Sequence, residues 1–262
     1  MYEVRDAAAG ASAEMPPAPA ARLFLTEPAR GLTDFGMLFT ASWLAAAPRG
    51  DGHGVLVLPG FLATDASTGV LRRYLRKLGY NVRGWEMGRN VGPTERVFDQ
   101  LPRAVTAFAN WTGRPVSLIG WSLGGIYARE LARADPERVR QVITLGSPFA
   151  LSDSQQSRAD SMYRRHAHLH AAGRVPPPEQ VMRPIGVPST AVYSRRDGIV
   201  AWQACIGSPT ELHDNVEVLC SHLGFGVDAS TLWLIADRLA LPAGTQPRFV
   251  PPPRRRHLYP GR

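Results

Sequence analysis

Chemistry in this chain is carried first by one serine. Gly120-Trp121-Ser122-Leu123-Gly124 stands between an apolar run at residues 116–119 and a helix-like segment that extends to Arg133. A serine at a sharp strand-to-helix turn is lifted out of the sheet, and the flanking glycines let neighbouring backbone pass close. The same turn brings the Leu123 N–H near a helix N-terminus, where it can donate to a developing oxyanion. A serine is a weak nucleophile at neutral pH and needs a base. His222 is the best placed of seven histidines, because it directly follows the last strand-like run. His213 is its rival.

The base needs an acceptor on its second ring nitrogen, and Asp197 lies just beyond the preceding strand, with Gly198 freeing its loop to turn. Asp214 and Glu211 are the alternatives. The order Ser122, Asp197, His222 is the one expected when a nucleophile elbow is built on a parallel sheet. A second oxyanion donor is expected from the backbone of Phe61, with Leu62 next to it, after the tight turn at Gly60. Trp121, Phe149, Trp202 and Leu223 are expected to line an apolar substrate pocket. His53 precedes a strand, and in the HAHLH run at 166–170 His166 and His170 could share a helix face but no well-placed third ligand accompanies them, so no metal site is expected. The acyl-transfer chemistry requires no cofactor. Cys205 and Cys220 flank the connection between acid and base, and a disulfide between them would brace it. Neither cysteine stands in an elbow of its own.

These residues must be held by regular elements. Residues 54–59 are almost continuously apolar, as a strand buried on both faces should be. Further strands are expected at 80–86, 116–119, 139–145, 187–194 and 217–219. Helices are expected at 32–47, 65–78, 93–111 (interrupted by Pro102), after Ser122, and at 230–241. Strand and helix alternate with short connections, which predicts an α/β fold: a doubly wound, mostly parallel sheet of about six strands with helices on both faces. Residues 1–21, rich in Ala and Pro, read as a flexible arm, and 22–250 as a single domain. Within it, 150–186 breaks the alternation and reads as an insertion or cap over the sheet. Residues 251–262 read as a basic tail.

The chain has 262 residues, enough for one substantial core. Its net charge of +8 is spread over scattered arginines rather than a continuous stripe, so nucleic-acid binding is not expected. It contains no apolar run of transmembrane length and no visible signal peptide, which favours a cytoplasmic location. A removed targeting segment together with a Cys205–Cys220 bridge would instead indicate a secreted or periplasmic protein. Oligomeric state is left open.

The ordered set LPGF at 58–61, GWSLGG at 120–125, TLGSPF at 144–149, RRDGIV at 195–200 and SHLGFG at 221–226 resembles the α/β-hydrolase superfamily, and within it the bacterial lipase-like serine esterases. The resemblance covers residues 53–241. It implies a Ser–His–Asp mechanism on Ser122, His222 and Asp197, oxyanion roles for Phe61 and Leu123, and an acyl-enzyme intermediate in the cleavage of hydrophobic lipid-like or aryl esters. Transfer of the acyl group to another acceptor by the same triad, and a noncatalytic binding protein on the same scaffold, are the alternatives.

Overall fold

A computed structural model describes residues 17–150 and 157–262. Six strands, β1 (Gly54–Leu58), β2 (Asn81–Gly84), β3 (Val116–Trp121), β4 (Val139–Leu145), β5 (Ser189–Tyr193) and β6 (His213–Glu217), form one sheet in the order β2-β1-β3-β4-β5-β6. Every neighbouring pair is parallel. The order runs outward in both directions from β1 and β3, so their C-terminal ends flank the crevice where such a sheet places its chemistry.

Alternation along the strands sorts the core into two layers. Val55, Val57, Ile119, Trp121, Ile143 and Leu145 face one apolar cluster, and Leu56, Leu58, Leu118 and Val142 face the other. The first cluster is closed by α2 (Gly69–Leu78) through Leu71, Leu75 and Leu78, and by α7 (Ala229–Leu239) through Leu232 and Ile235. The second is closed by α3 (Glu95–Thr112) through Val97, Leu101, Val105 and Phe108, and by α4 (Leu123–Ala134) through Tyr127, Ala128 and Leu131. Each fully buried aliphatic or aromatic side chain of this kind contributes about 1.5–3 kcal/mol relative to exposure. Both faces must therefore be covered, as the continuous apolar strands require.

Several elements differ from the sequence expectation. The first helix, α1, spans Ala21–Leu38, and only a short 3-10 turn follows at Ser42–Ala46. α3 runs through Pro102 uninterrupted, from the Thr94 cap to Gly113 in the left-handed conformation. The last strand is His213–Glu217, earlier than the 217–219 run. The 251–262 segment is packed: Tyr259 is fully buried with its hydroxyl donating to the Ser230 carbonyl at 2.9 Å, and the Phe249 N–H donates to Asp214 Oδ2 at 2.8 Å.

In the stretch between β4 and β5, residues 151–156 lie outside the described residues, as do residues 1–16 of the expected arm. The rest carries α5 (Asp160–Arg165) and α6 (Pro178–Met182). It is tied down by the Ala171 N–H on the Pro93 carbonyl and by Arg174 on Glu95 and Asp99. No helix among the described residues is long and apolar enough to cross a membrane.

Candidate active site

Ser122 occupies the turn between β3 and α4 with φ 52° and ψ −121°. A non-glycine residue reaches this region only when its surroundings impose it. What imposes it is the close packing of the turn. A Cβ on Gly120 would lie 2.3 Å from the Gly124 carbonyl oxygen, and one on Gly124 would lie 2.5 Å from the Leu58 oxygen. The chain can therefore reverse direction only here, with the serine at the apex. The Ser122 N–H donates to the Leu145 carbonyl at 2.8 Å, which fixes the apex to the end of β4.

Asp197 and His222 meet beside that point. The His222 Nδ1–H donates to Asp197 Oδ2 at 2.6 Å. Asp197 Oδ1 accepts from the N–H groups of Ile199 and Val200, at 2.8 and 2.7 Å. With Nδ1 committed to the carboxylate, Nε2 is the basic nitrogen of the ring. Gly146, the residue after Leu145, packs against this pair so tightly that a Cβ there would lie 3.1 Å from both the carboxylate and the imidazole. Ser122 thus follows β3, Asp197 follows β5 and His222 follows β6, all at the C-terminal ends of the strands, with the Gly146 turn after β4 against the acid–base pair. Burial disfavours the imidazolium, but the Asp197 carboxylate and the more distant Glu27 outweigh it and lift the His222 pKa above its ordinary value.

The two backbone groups expected to serve an oxyanion lie in the loops nearest Ser122. Leu123 is the first residue of α4, where an N–H has no partner within its own helix. A Cβ on Gly60 would lie 3.3 Å from Ser122 Cβ, so the loop after β1 passes directly over the serine. Of its two candidate N–H groups, that of Leu62 is spent on the Asn90 carbonyl at 2.7 Å. The Phe61 N–H has no hydrogen-bond acceptor among the described residues. Beside Ser122 is a cavity of about 190 Å³, lined by Phe61, Leu123, Ile126, Pro148, Tyr163 and Val200 among others. Tyr163 comes from α5 and meets the Phe61 ring edge-on at 5.3 Å, so the segment between β4 and β5 forms part of the cavity wall.

Among the described residues, two histidines are hydrogen-bonded to serines away from Ser122. His53 places Nδ1 2.5 Å from Asp51 Oδ1 and Nε2 2.8 Å from Ser117 Oγ, a Ser–His–Asp arrangement by distance. Both Ser117 and His53 are completely buried, and Ser117 lies in the body of β3 paired with Val55. Burial pulls the His53 pKa down even against Asp51. No substrate carbonyl can approach that hydroxyl, and the relay serves to satisfy polar groups under the sheet. His213 lies within β6, bonded to Ser189 Oγ at 2.8 Å and Asn215 Oδ1 at 3.0 Å, and so is committed away from Ser122. Of the alternative acids, Asp214 anchors the Phe249 N–H and Arg262, and Glu211 is exposed.

No protein-family model and no curated protein sequence matches the chain. Solved structures do. Aspergillus fumigatus lipase B superposes with a TM-score of 0.57 at 15% identity over 79% of this chain, which spans 58% of the lipase's length. The non-heme bromoperoxidase candidate BpoC of Mycobacterium tuberculosis gives 0.55 at 14% identity, covering 74% of this chain and 95% of its own. An α/β-hydrolase enzyme from the metagenome of lagoon sediments at Mar Chica, Morocco, gives 0.50 at 15% identity, covering 72% and 91%. The chain has the α/β-hydrolase fold.

On the α/β-hydrolase scaffold some expectations are corrected. Cys205 and Cys220 are free and buried, and no disulfide joins them. Cys205 packs in a small cluster with Val200 and Ala204, whereas Cys220 belongs to the main core beside Thr231. They were expected to pair because they flank one connection in sequence, but that connection separates them into different apolar clusters. The four expected pocket residues are also placed elsewhere. Trp121 is a core residue packed near His222, Phe149 is buried under the Arg129 guanidinium, and Trp202 stacks on Tyr193 at 5.6 Å. Leu223 is exposed on the outer side of the base loop. Phe61 and Leu123 line the cavity beside Ser122, whereas Trp121 packs into the core and Phe149 is buried in the turn after β4. Among the described residues, no group of three or more His, Cys, Asp or Glu could hold a metal ion. Glu27 of α1, which contacts the loops of both acid and base, carried no signal in the sequence beyond being an acid in an apolar stretch.

Proposed function

We propose that this protein is a serine hydrolase that cleaves carboxylic esters with a hydrophobic acyl group. The observation that carries the reading is Ser122 held at φ 52° over an apolar cavity, beside a histidine already bonded to a buried carboxylate. Ser122 Oγ attacks the ester carbonyl while His222 Nε2 takes its proton, and the Asp197 carboxylate stabilises the imidazolium that forms. The N–H groups of Phe61 and Leu123 receive the negative charge that develops on the carbonyl oxygen. The imidazolium then protonates the departing alcohol. Water, deprotonated by the same histidine, attacks the acyl-enzyme, and the acid leaves with Ser122 restored.

Hydrophobic substrates are favoured because the cavity wall is built from Phe61, Leu123, Ile126, Pro148 and Val200. The structural relatives named above, a lipase and an α/β-hydrolase among them, fit this reading as a fold. A fluorophosphonate probe followed by peptide mapping tests it, together with p-nitrophenyl ester turnover of the Ser122→Ala and Ser117→Ala variants. Labelling at Ser122, loss of turnover by at least ~10³-fold in Ser122→Ala, and retention of turnover in Ser117→Ala are expected. Labelling at Ser117, or wild-type turnover by Ser122→Ala, overturns the assignment.

A further inference from the structure

α1 has its polarity turned inside out. Leu25, Leu32 and Phe39, in and just after the helix, are largely exposed, whereas Glu27 is only 2% exposed. The inward face of α1 lies on the two loops that carry the acid and the base. Glu27 Oε1 accepts from the Gly198 N–H at 2.6 Å and from the His222 N–H at 3.2 Å, and Oε2 accepts from the Leu223 N–H at 3.2 Å. One carboxylate therefore binds the residue after Asp197, the backbone of His222 itself, and the residue after it. Arg30 pairs with that carboxylate at 2.8 Å from one turn further along α1. Asp34 continues the grip, with Oδ2 accepting from the Ser221 N–H at 2.9 Å and its hydroxyl at 2.7 Å.

The fit leaves no slack. A Cβ on Gly198 would lie 2.4 Å from the Leu23 carbonyl oxygen, and one on Gly31 would lie 3.0 Å from Leu223 Cβ. We infer that Glu27 is a positioning residue for the hydrolytic reaction, fixing the separation of the Asp197 and His222 loops and holding a negative charge beside the imidazole. The inference rests on the serine-hydrolase reading of Ser122. The charged groups around His222 are Asp197 from the loop after β5, and Glu27, its partner Arg30, and Asp34 (through Ser221) from α1. A carboxylate with three backbone N–H groups and one arginine does more than anchor a helix, because both loops lose their common reference when it is removed.

The test compares wild type, Glu27→Gln and Glu27→Ala in the full chain, reading kcat and KM for a p-nitrophenyl ester across pH 5–9 in parallel with fluorophosphonate labelling. The amide oxygen of glutamine can still accept from Gly198 and His222 and only the Leu223 N–H loses its acceptor, so Glu27→Gln keeps kcat at high pH within about threefold of wild type. Its acidic limb moves to lower pH, because a negative charge that favours the imidazolium is gone. Glu27→Ala leaves three N–H groups without their acceptor and loses roughly tenfold or more in kcat, with KM changed less than about threefold. An unmoved acidic limb in Glu27→Gln overturns the inference, as does wild-type kcat in a folded Glu27→Ala. If Glu27→Ala does not fold, the limb of Glu27→Gln decides alone. Failure of the wild type to be labelled at Ser122 strikes the serine-hydrolase reading, and is thus distinguishable from failure at Glu27.

Discussion

Replacing Ser122 with glycine should make the protein more stable and catalytically dead. The residue holds φ 52° and ψ −121°, the geometry that a mirror-image turn gives to glycine, and a side chain there costs about 1–3 kcal/mol. Glycine removes that cost but gains freedom in the unfolded chain worth about 0.4–1 kcal/mol. The balance is a stabilisation of roughly 0–2.6 kcal/mol, which for a chain of this size corresponds to a rise of up to roughly 10 °C in Tm. Ser122→Ala is the control, since alanine keeps the Cβ and so the strain while losing the hydroxyl. Differential scanning calorimetry of the three proteins, with fluorophosphonate labelling to verify inactivation, gives the answer. A Ser122→Gly protein that melts below Ser122→Ala would show that no strain is held at the apex and that the turn does not force the Ser122 side chain upward.

Two further outcomes follow from the site. His222 acts as a base only when neutral and its pKa is raised, so kcat/KM should climb with pH through a midpoint above the ordinary histidine value. Asp197→Asn removes the charge that raises it, and its pH–rate profile should show the midpoint displaced to lower pH along with a lower plateau; a midpoint that stays in place contradicts the pairing. Thiol titration of unreduced protein in guanidinium should find both Cys205 and Cys220 reactive, and a count near zero would mean that the chain carries a bridge which this arrangement does not contain.

The sheet was legible because its central strands are buried on both faces: 54–58 is an unbroken apolar run, and 139–145 keeps Val139, Val142, Ile143 and Leu145 around its few polar residues, as a covered parallel strand does. The triad candidates were legible because the serine turn needs glycine at specific offsets, and because acid and base must then follow at the ends of later strands. α1 was harder to place. Its Pro28 and its alternation of Arg, Glu and apolar residues resemble a surface stretch, and the reason it folds where it does lies in N–H groups at Gly198, His222 and Leu223. No local window contains both partners. The cavity beside Ser122 was not legible for a related reason: Trp121 and Phe149 adjoin it in sequence, but Trp121 alternates into the core from β3 and Phe149, in the turn after β4, is buried under Arg129, whereas Tyr163 arrives from a distant helix. His53 with Ser117 gives the converse lesson, since three residues at good distances make a relay but an active centre also requires a way in.

The Glu27 contacts span 171, 195 and 196 positions along the chain. As the polypeptide is synthesised, α1 emerges from the ribosome while the loops it grips are still untranslated, and such long closures are late and slow. The central strands and the serine turn can assemble earlier from nearer neighbours. A nascent chain stalled before residue 198 therefore carries the Ser122 turn without Asp197 or His222, and on the proposed function hydrolytic competence arrives only when the last quarter of the protein returns to meet the first helix.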